Sequence, residues 1–140
     1  IHLSHMLRQH LIQLLLIKVS EYSRNLFLQD NSEMYSKFIN LRIDLHNNPQ
    51  NYGSITTAAN VLHISSPYFQ SLYKSYFDIT FMQDVISARI QKAKQLLRFT
   101  KNSIYDIAFV CGYSNAEHFT RQFKKETGFS PTSYRDKHSN

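Results

Sequence analysis

Two groups of polar side chains in this 140-residue chain stand at the spacing that aligns them on one face of a helix: Pro67, Gln70, Ser71 and Lys74, and then Glu117, Thr120, Arg121 and Lys124. Opposite each group lie apolar residues: Phe69, Leu72, Tyr73 and Tyr76 in the first, Phe119 and Phe123 in the second. Gln and Arg can make paired hydrogen bonds to a purine edge, and Arg to guanine is the commonest specific contact in the major groove. Lys74 and Lys124, one turn further on, are placed for phosphate. The chemistry on offer is recognition of duplex nucleic acid. A polar outer face alone is also what any amphipathic surface helix shows, and only recurrence of the whole unit separates the two readings.

Other reactive groups are sparse. The single cysteine, Cys111, excludes an internal disulfide and a multi-cysteine metal site; its apolar neighbours Phe109 and Val110 predict a buried core residue. Seven histidines show no HExxH or paired-ligand spacing, so neither metal nor cofactor is expected. The formal charge of +6 sits in the later part: residues 51–140 carry 11 Lys+Arg against 6 Asp+Glu, residues 1–50 only 5 against 4. That balance suits a polyanion, although ordinary surface lysines produce it too. The apolar run Leu11–Ile17 is bracketed by Arg8 and Lys18 too closely to cross a membrane, and a cytoplasmic protein is expected.

The elements that must position these groups form a repeat. Ser54-Ile55-Thr56-Thr57-Ala58-Ala59 through Phe69 and Lys74 recurs as Ser103-Ile104-Tyr105-Asp106-Ile107-Ala108 through Phe119 and Lys124, with a register of 49 residues before the internal turn and 50 after it. The extra residue falls within Gly112-Tyr113-Ser114-Asn115 against His63-Ile64-Ser65-Ser66. Ser54 and Ser103 are the expected N-caps. A helix from about Phe81 to Phe99 joins the two copies. Upstream, residues 1 to about 29 read as a helix with Ile12, Leu15, Val19, Tyr22 and Leu26 three and four apart and a neighbouring stripe of Leu3, Leu7, Leu11 and Leu14. Asp30-Asn31-Ser32-Glu33 read as caps that start a second helix, Glu33 to His46, with Met34, Phe38, Leu41 and Leu45 inward. Few glycines and prolines and the lack of a hairpin signal exclude a sheet protein, so the class is all-α: two helix-turn-helix subdomains on a long linker helix, preceded by an extra N-terminal helix.

In the second copy, Ile104-Tyr105-Asp106-Ile107-Ala108, Cys111-Gly112-Tyr113-Ser114, Phe119, Arg121, Phe123-Lys124, Gly128-Phe129-Ser130-Pro131 and Tyr134-Arg135 form a nearly continuous signature. On these residues the stretch from Ser54 to Arg135 resembles the DNA-binding domain of the AraC family of bacterial transcription regulators. The resemblance implies a seven-helix domain whose two recognition helices, about residues 66–76 and 116–126, enter successive major grooves. It places the base-reading residues at Pro67, Gln70 and Ser71 on the first helix and at Ala116, Glu117, Thr120 and Arg121 on the second, with Ser66, Lys74 and Lys124 at phosphates. Glu117 could accept from a cytosine amino group or repel phosphate and enforce register. Pro67 and Ser71 stand where many relatives have a large or basic reader, and Asp78 where the family usually has glycine, so the first head is expected to be the less specific.

The expected function is a sequence-specific, double-stranded-DNA-binding transcription regulator, an activator and not an enzyme, with RNA polymerase as a partner. Residues 1–30 would be a linker or dimerisation segment, through which a homodimer could form, and residues 31–140 the DNA-binding domain. The chain opens on Ile1 and is expected to be the C-terminal part of a longer protein. The alternatives are a nonspecific nucleic-acid-binding or protein-interaction helical domain, and a DNA-repair methyltransferase carrying such a module.

Overall fold

The computed structural model describes residues 2–138, with side chains from Met6 onward; Leu3 therefore lies outside the side chains described. Its elements are α1 (His2–Asn47), a 3-10 turn (Pro49–Asn51), α2 (Ile55–Val61), α3 (Ser66–Phe77), α4 (Phe81–Phe99), α5 (Ile104–Val110), α6 (Ala116–Thr127) and α7 (Pro131–His138), with no strand among the described residues. The all-α expectation holds. Two compact units divide the chain, one up to Phe38 and one from Ile39.

In the first unit the helix does not stop at Asp30-Asn31-Ser32-Glu33: α1 is continuous, which corrects the expectation of two helices. Asp30, Asn31 and Ser32 are poor helix formers, but none of the four residues is Gly or Pro, and the cost of keeping them helical is only a few tenths of a kcal/mol each, roughly. The local bonds are those of a continuing helix: Glu33 pairs with Lys37 at 2.8 Å one turn on, and the Ser36 hydroxyl donates back to the Ser32 carbonyl.

The second unit holds both copies of the repeat. Ser54 and Ser103 cap α2 and α5 as expected, accepting from the amides of Thr57 and Asp106. Ser65, Thr80 and Asn115 do the same for α3, α4 and α6, with a full capping box between Thr80 and Gln83. The amide of Ile64 bonds to the Ala59 carbonyl and that of Tyr113 to Ala108, still 49 residues apart, whereas the caps Ser65 and Asn115 are 50 apart. Ser114, which is exposed, is thus the inserted residue.

Helix α4 serves both cores because it carries two apolar stripes. Phe81, Val85 and Ala88 are buried on the first; Phe81 meets Phe69 and Tyr73 of α3 edge-on at 5.1 and 5.3 Å between ring centres. Ile90, Ala93 and Leu97 lie on the second and join Ile107, Ala108, Cys111, Tyr113, Phe119 and Phe123. Arg135 of α7 closes the end of α4, donating to the carbonyls of Asn102 at 2.6 Å and Leu97 at 3.4 Å.

On the first stripe one position is a carboxylate. Asp84 is 2% exposed and accepts three hydrogen bonds: from the Tyr73 hydroxyl at 2.6 Å, Arg42 Nε at 2.7 Å and His46 Nε2 at 2.8 Å. Burial alone would push its pKa up; the bonds from Tyr73, Arg42 and His46 outweigh burial and hold it below the ordinary carboxylate value. Burial and the bond to Asp84 push the Tyr73 hydroxyl up. Among the described residues no buried side-chain polar atom is left unpaired.

Asp84→Asn is expected to lower unfolding free energy at pH 7 by about 2–3 kcal/mol, since charge-assisted bonds are lost while Arg42 and His46 can turn to water. A group with a depressed folded pKa stabilises above its unfolded value, about 3.9 for Asp, and ceases to as pH falls through the folded value. Urea denaturation should therefore show the gap between wild type and variant narrowing from pH 5 to pH 2.

Candidate nucleic-acid interface

Helix α3 begins at the Ser65 cap, and Pro67 sits in its first turn, where a missing amide hydrogen is no loss. Phe69 and Tyr73 are fully buried, which turns Pro67, Gln70, Ser71 and Lys74 outward, all exposed; Ser66 is half-buried. A groove of about 470 Å³ runs beside them, lined by Gln70, Ser71 and Lys74 together with Ile55 of α2 and Thr80, Phe81 and Met82 at the start of α4. The Lys74 ammonium rests on the Asp78 carbonyl at 3.0 Å and 3.8 Å from its carboxylate. Both side chains are in solvent, so the contact is easily exchanged for a phosphate.

In α6, Asn115 accepts from the amides of Glu117 and His118, and Phe119 and Phe123 are fully buried. Glu117, Arg121 and Lys124 are exposed, whereas Thr120 is half-buried and Ala116 is half-buried against the second core. Ala116 thus has packing to do at a position carried over as a reader. Gln70, Arg121 and Lys124 make no side-chain hydrogen bond or ion pair among the described residues, so their donors remain available. The two polar sets read from the sequence are brought to the surface of equivalent helices, each opposite a buried aromatic pair.

Both turns and both helix ends need left-handed backbone. His63 and Gly112 occupy it in the turns, with φ of 56° and 93°; Asp78 and Gly128 occupy it after α3 and α6, at 56° and 81°. Asp78 replaces glycine without changing the conformation, as a short polar side chain can. His63 was not legible as such a position; its one signal is the alignment with Gly112. Cys111 is buried in the second core, and burial pushes its thiol up to about 11, so it stays protonated near neutrality. Sequence reasoning also passed over Asp84, Arg42 and His46, although an acid in phase with Phe81, Val85 and Ala88 is itself a signal of a buried partner.

Two helix-turn-helix units on one linker helix, each presenting a polar face opposite its core, define a double-headed helix-turn-helix domain. A family model described as a helix-turn-helix domain matches residues 58–137, more than half of the chain. The chain belongs to this family, the AraC-type helix-turn-helix proteins. It is 33% identical over 79 residues to the transcriptional activator RhaS of Enterobacter sp. strain 638, covering 56% of this chain and 28% of that protein. It is 32% identical over 82 residues to the bifunctional transcriptional activator and DNA repair enzyme AdaA of Bacillus subtilis, covering 59% of this chain and 39% of that protein. Among solved structures, the C-terminal domain of AraT, a response regulator from Geobacillus stearothermophilus, superposes with a TM-score of 0.70 at 28% identity over 74% of this chain and 87% of that one. The matched stretch amounts to about two-fifths or less of the length of these curated relatives. Among the described residues no helix is long and apolar enough to cross a membrane.

The glycines separate two physical effects. A Cβ at Gly112 would lie 2.8 Å from Gln50 Cα and 3.1 Å from Arg89, whereas at Gly128 it would meet nothing within 4 Å. Gly128→Ala should cost about 1 kcal/mol from backbone strain alone, and Gly112→Ala at least 1 kcal/mol more, roughly, from overpacking; thermal unfolding of the two variants gives the comparison.

Proposed function

We propose that this chain binds double-stranded DNA by sequence and acts in transcription regulation as an activator, setting α3 and α6 into successive major grooves. The observation that carries the reading is the coincidence, on two equivalent helices, of a fully buried aromatic pair with an outward polar set in which Gln70, Arg121 and Lys124 keep unengaged donors. The net charge of +6 supports a polyanionic partner, and the names of RhaS and AdaA support regulation. Base reading is assigned to Gln70 and Arg121 first, with Pro67, Ser71, Ala116, Glu117 and Thr120 shaping the contact, and phosphate binding to Ser66, Lys74 and Lys124. Residues 31–140 form the DNA-reading domain in this proposal, with RNA polymerase as a further partner in the bacterial cytoplasm. Repair chemistry is not proposed, since the chain's single cysteine is buried.

Residues 1–30 are assigned to self-association. Leu7, Leu11, Ile12, Leu15, Val19, Tyr22 and Leu26 are each about half exposed or more, and the last five keep the alternating three-four spacing of a helix that pairs with its copy.

Selection of the 140-residue chain against a random duplex pool should enrich a site spanning two successive grooves; binding without enrichment, abolished by salt, would leave a nonspecific basic domain. On the enriched site Arg121→Ala should cost about 1–3 kcal/mol and relax choice at one base position, while Lys124→Ala weakens all sequences alike. Unchanged binding by Arg121→Ala would remove that residue from the readers. Sedimentation should give a dimer that Leu15→Glu with Val19→Glu converts to monomer; a wild-type monomer at tens of micromolar protein would end the dimer proposal.

A further inference from the structure

Arg89 lies on the linker helix and meets the entry segment of the first head and the turn of the second. Its Nη2 donates to the Tyr52 carbonyl at 2.8 Å and its Nε reaches the Pro49 carbonyl at 3.4 Å, both in the segment that leads into the first head. Its guanidinium carbon stands 5.2 Å from the ring centre of Tyr113, in the turn of the second head. The same turn brings Gly112 so close that an added Cβ would sit 3.1 Å from both Arg89 Nε and Nη2 and 2.8 Å from Gln50 Cα. Gln50 is itself held by Lys92, one turn further along α4, at 2.9 Å. One planar, half-buried cation thus holds the entry to the first head through two carbonyls and the turn of the second through an aromatic face. No carboxylate pairs with it among the described residues. Tyr113 in turn is anchored in its own head, buried at 3% exposure and donating to Gln122 of α6 at 2.7 Å.

We propose that Arg89 is a positioning residue that fixes the relation of the two heads and thereby sets the spacing of the two half-sites the protein accepts. The proposal rests on the two-headed DNA-binding reading above. It assigns Arg89 no contact with DNA: the half-buried guanidinium is directed at protein carbonyls through Nε and Nη2, and its effect passes through the entry segment and the Gly112–Tyr113 turn. A rigid pair of heads accepts two half-sites only at one rotational phase, and each inserted base pair turns the second half-site by about 35°. A pair freed to shift tolerates the insertion. Lysine keeps the charge but has neither the fork for two carbonyls nor the plane for Tyr113, and should fall between.

The test uses the 140-residue chain and the duplex enriched by selection, with the two halves separated by none, one or two extra base pairs, and each half alone. Wild type should lose at least tenfold in affinity on the first insertion. Arg89→Met should bind each half alone within about twofold of wild type yet lose less than threefold on insertion, with Arg89→Lys intermediate. Folded Arg89→Met that keeps the wild-type spacing penalty overturns the proposal. So does an Arg89→Met chain whose circular dichroism shows a lost helix, since Arg89 would then hold the heads themselves and not their relation. Failure of the DNA-reading proposal has a different mark: wild type would show no preference for the enriched site at all.

Discussion

The first head depends on a carboxylate kept away from water. Removing Asp84 from solvent costs several kcal/mol, roughly, unless its lone pairs are met, and they are met from two other helices: Arg42 and His46 of α1, and Tyr73 of α3. Any rotation of α3 that withdrew Tyr73 would leave the charge buried with fewer donors. That penalty ties the direction of the Gln70 face to the linker helix more tightly than apolar contact alone, which is tolerant of small slips.

The second head solves the same problem with different chemistry. By the repeat register, the positions of Tyr73 and Asp84 become Phe123 and Tyr134, and these two rings meet edge-on at 5.4 Å. A polar lock in one copy is an aromatic contact in the other. The second core, from Ile90 to Phe123, correspondingly holds no charged side chain; its buried hydroxyl, that of Tyr113, donates to Gln122. Two heads with one backbone plan therefore differ in how they respond to acid: protonation loosens a contact in the first and has no counterpart group at those positions in the second. The linker helix makes both arrangements possible by carrying two apolar stripes out of phase, one for each head.

Much of this was legible along the chain. The repeat, the short and long helix of each copy, the Ser54 and Ser103 caps and the location of the extra residue follow from local chemistry that acts within a turn or two of helix. The outward position of Gln70, Arg121 and Lys124 follows from helical phase relative to Phe69, Tyr73, Phe119 and Phe123. The break expected at Asp30-Asn31-Ser32-Glu33 failed because capping residues only permit a helix end; with no Gly or Pro in that stretch, nothing forbids continuation. Thr120 was placed on the reading face by phase and Ala116 by the family resemblance, yet both are half-buried, Ala116 against the second core, and neither signal reports how near the rest of the chain comes.

Sequence by itself determined the class, the duplication and the two faces, because helical periodicity and capping are set by residues three and four apart. Tertiary structure alone decided which polar residues turn inward. Asp84 finds donors 38 and 42 residues upstream, and Arg89 finds carbonyls 37 and 40 residues upstream. A charged side chain on a helix reads the same from the sequence whether it meets water or a buried partner, and only the packing of distant segments supplies the second.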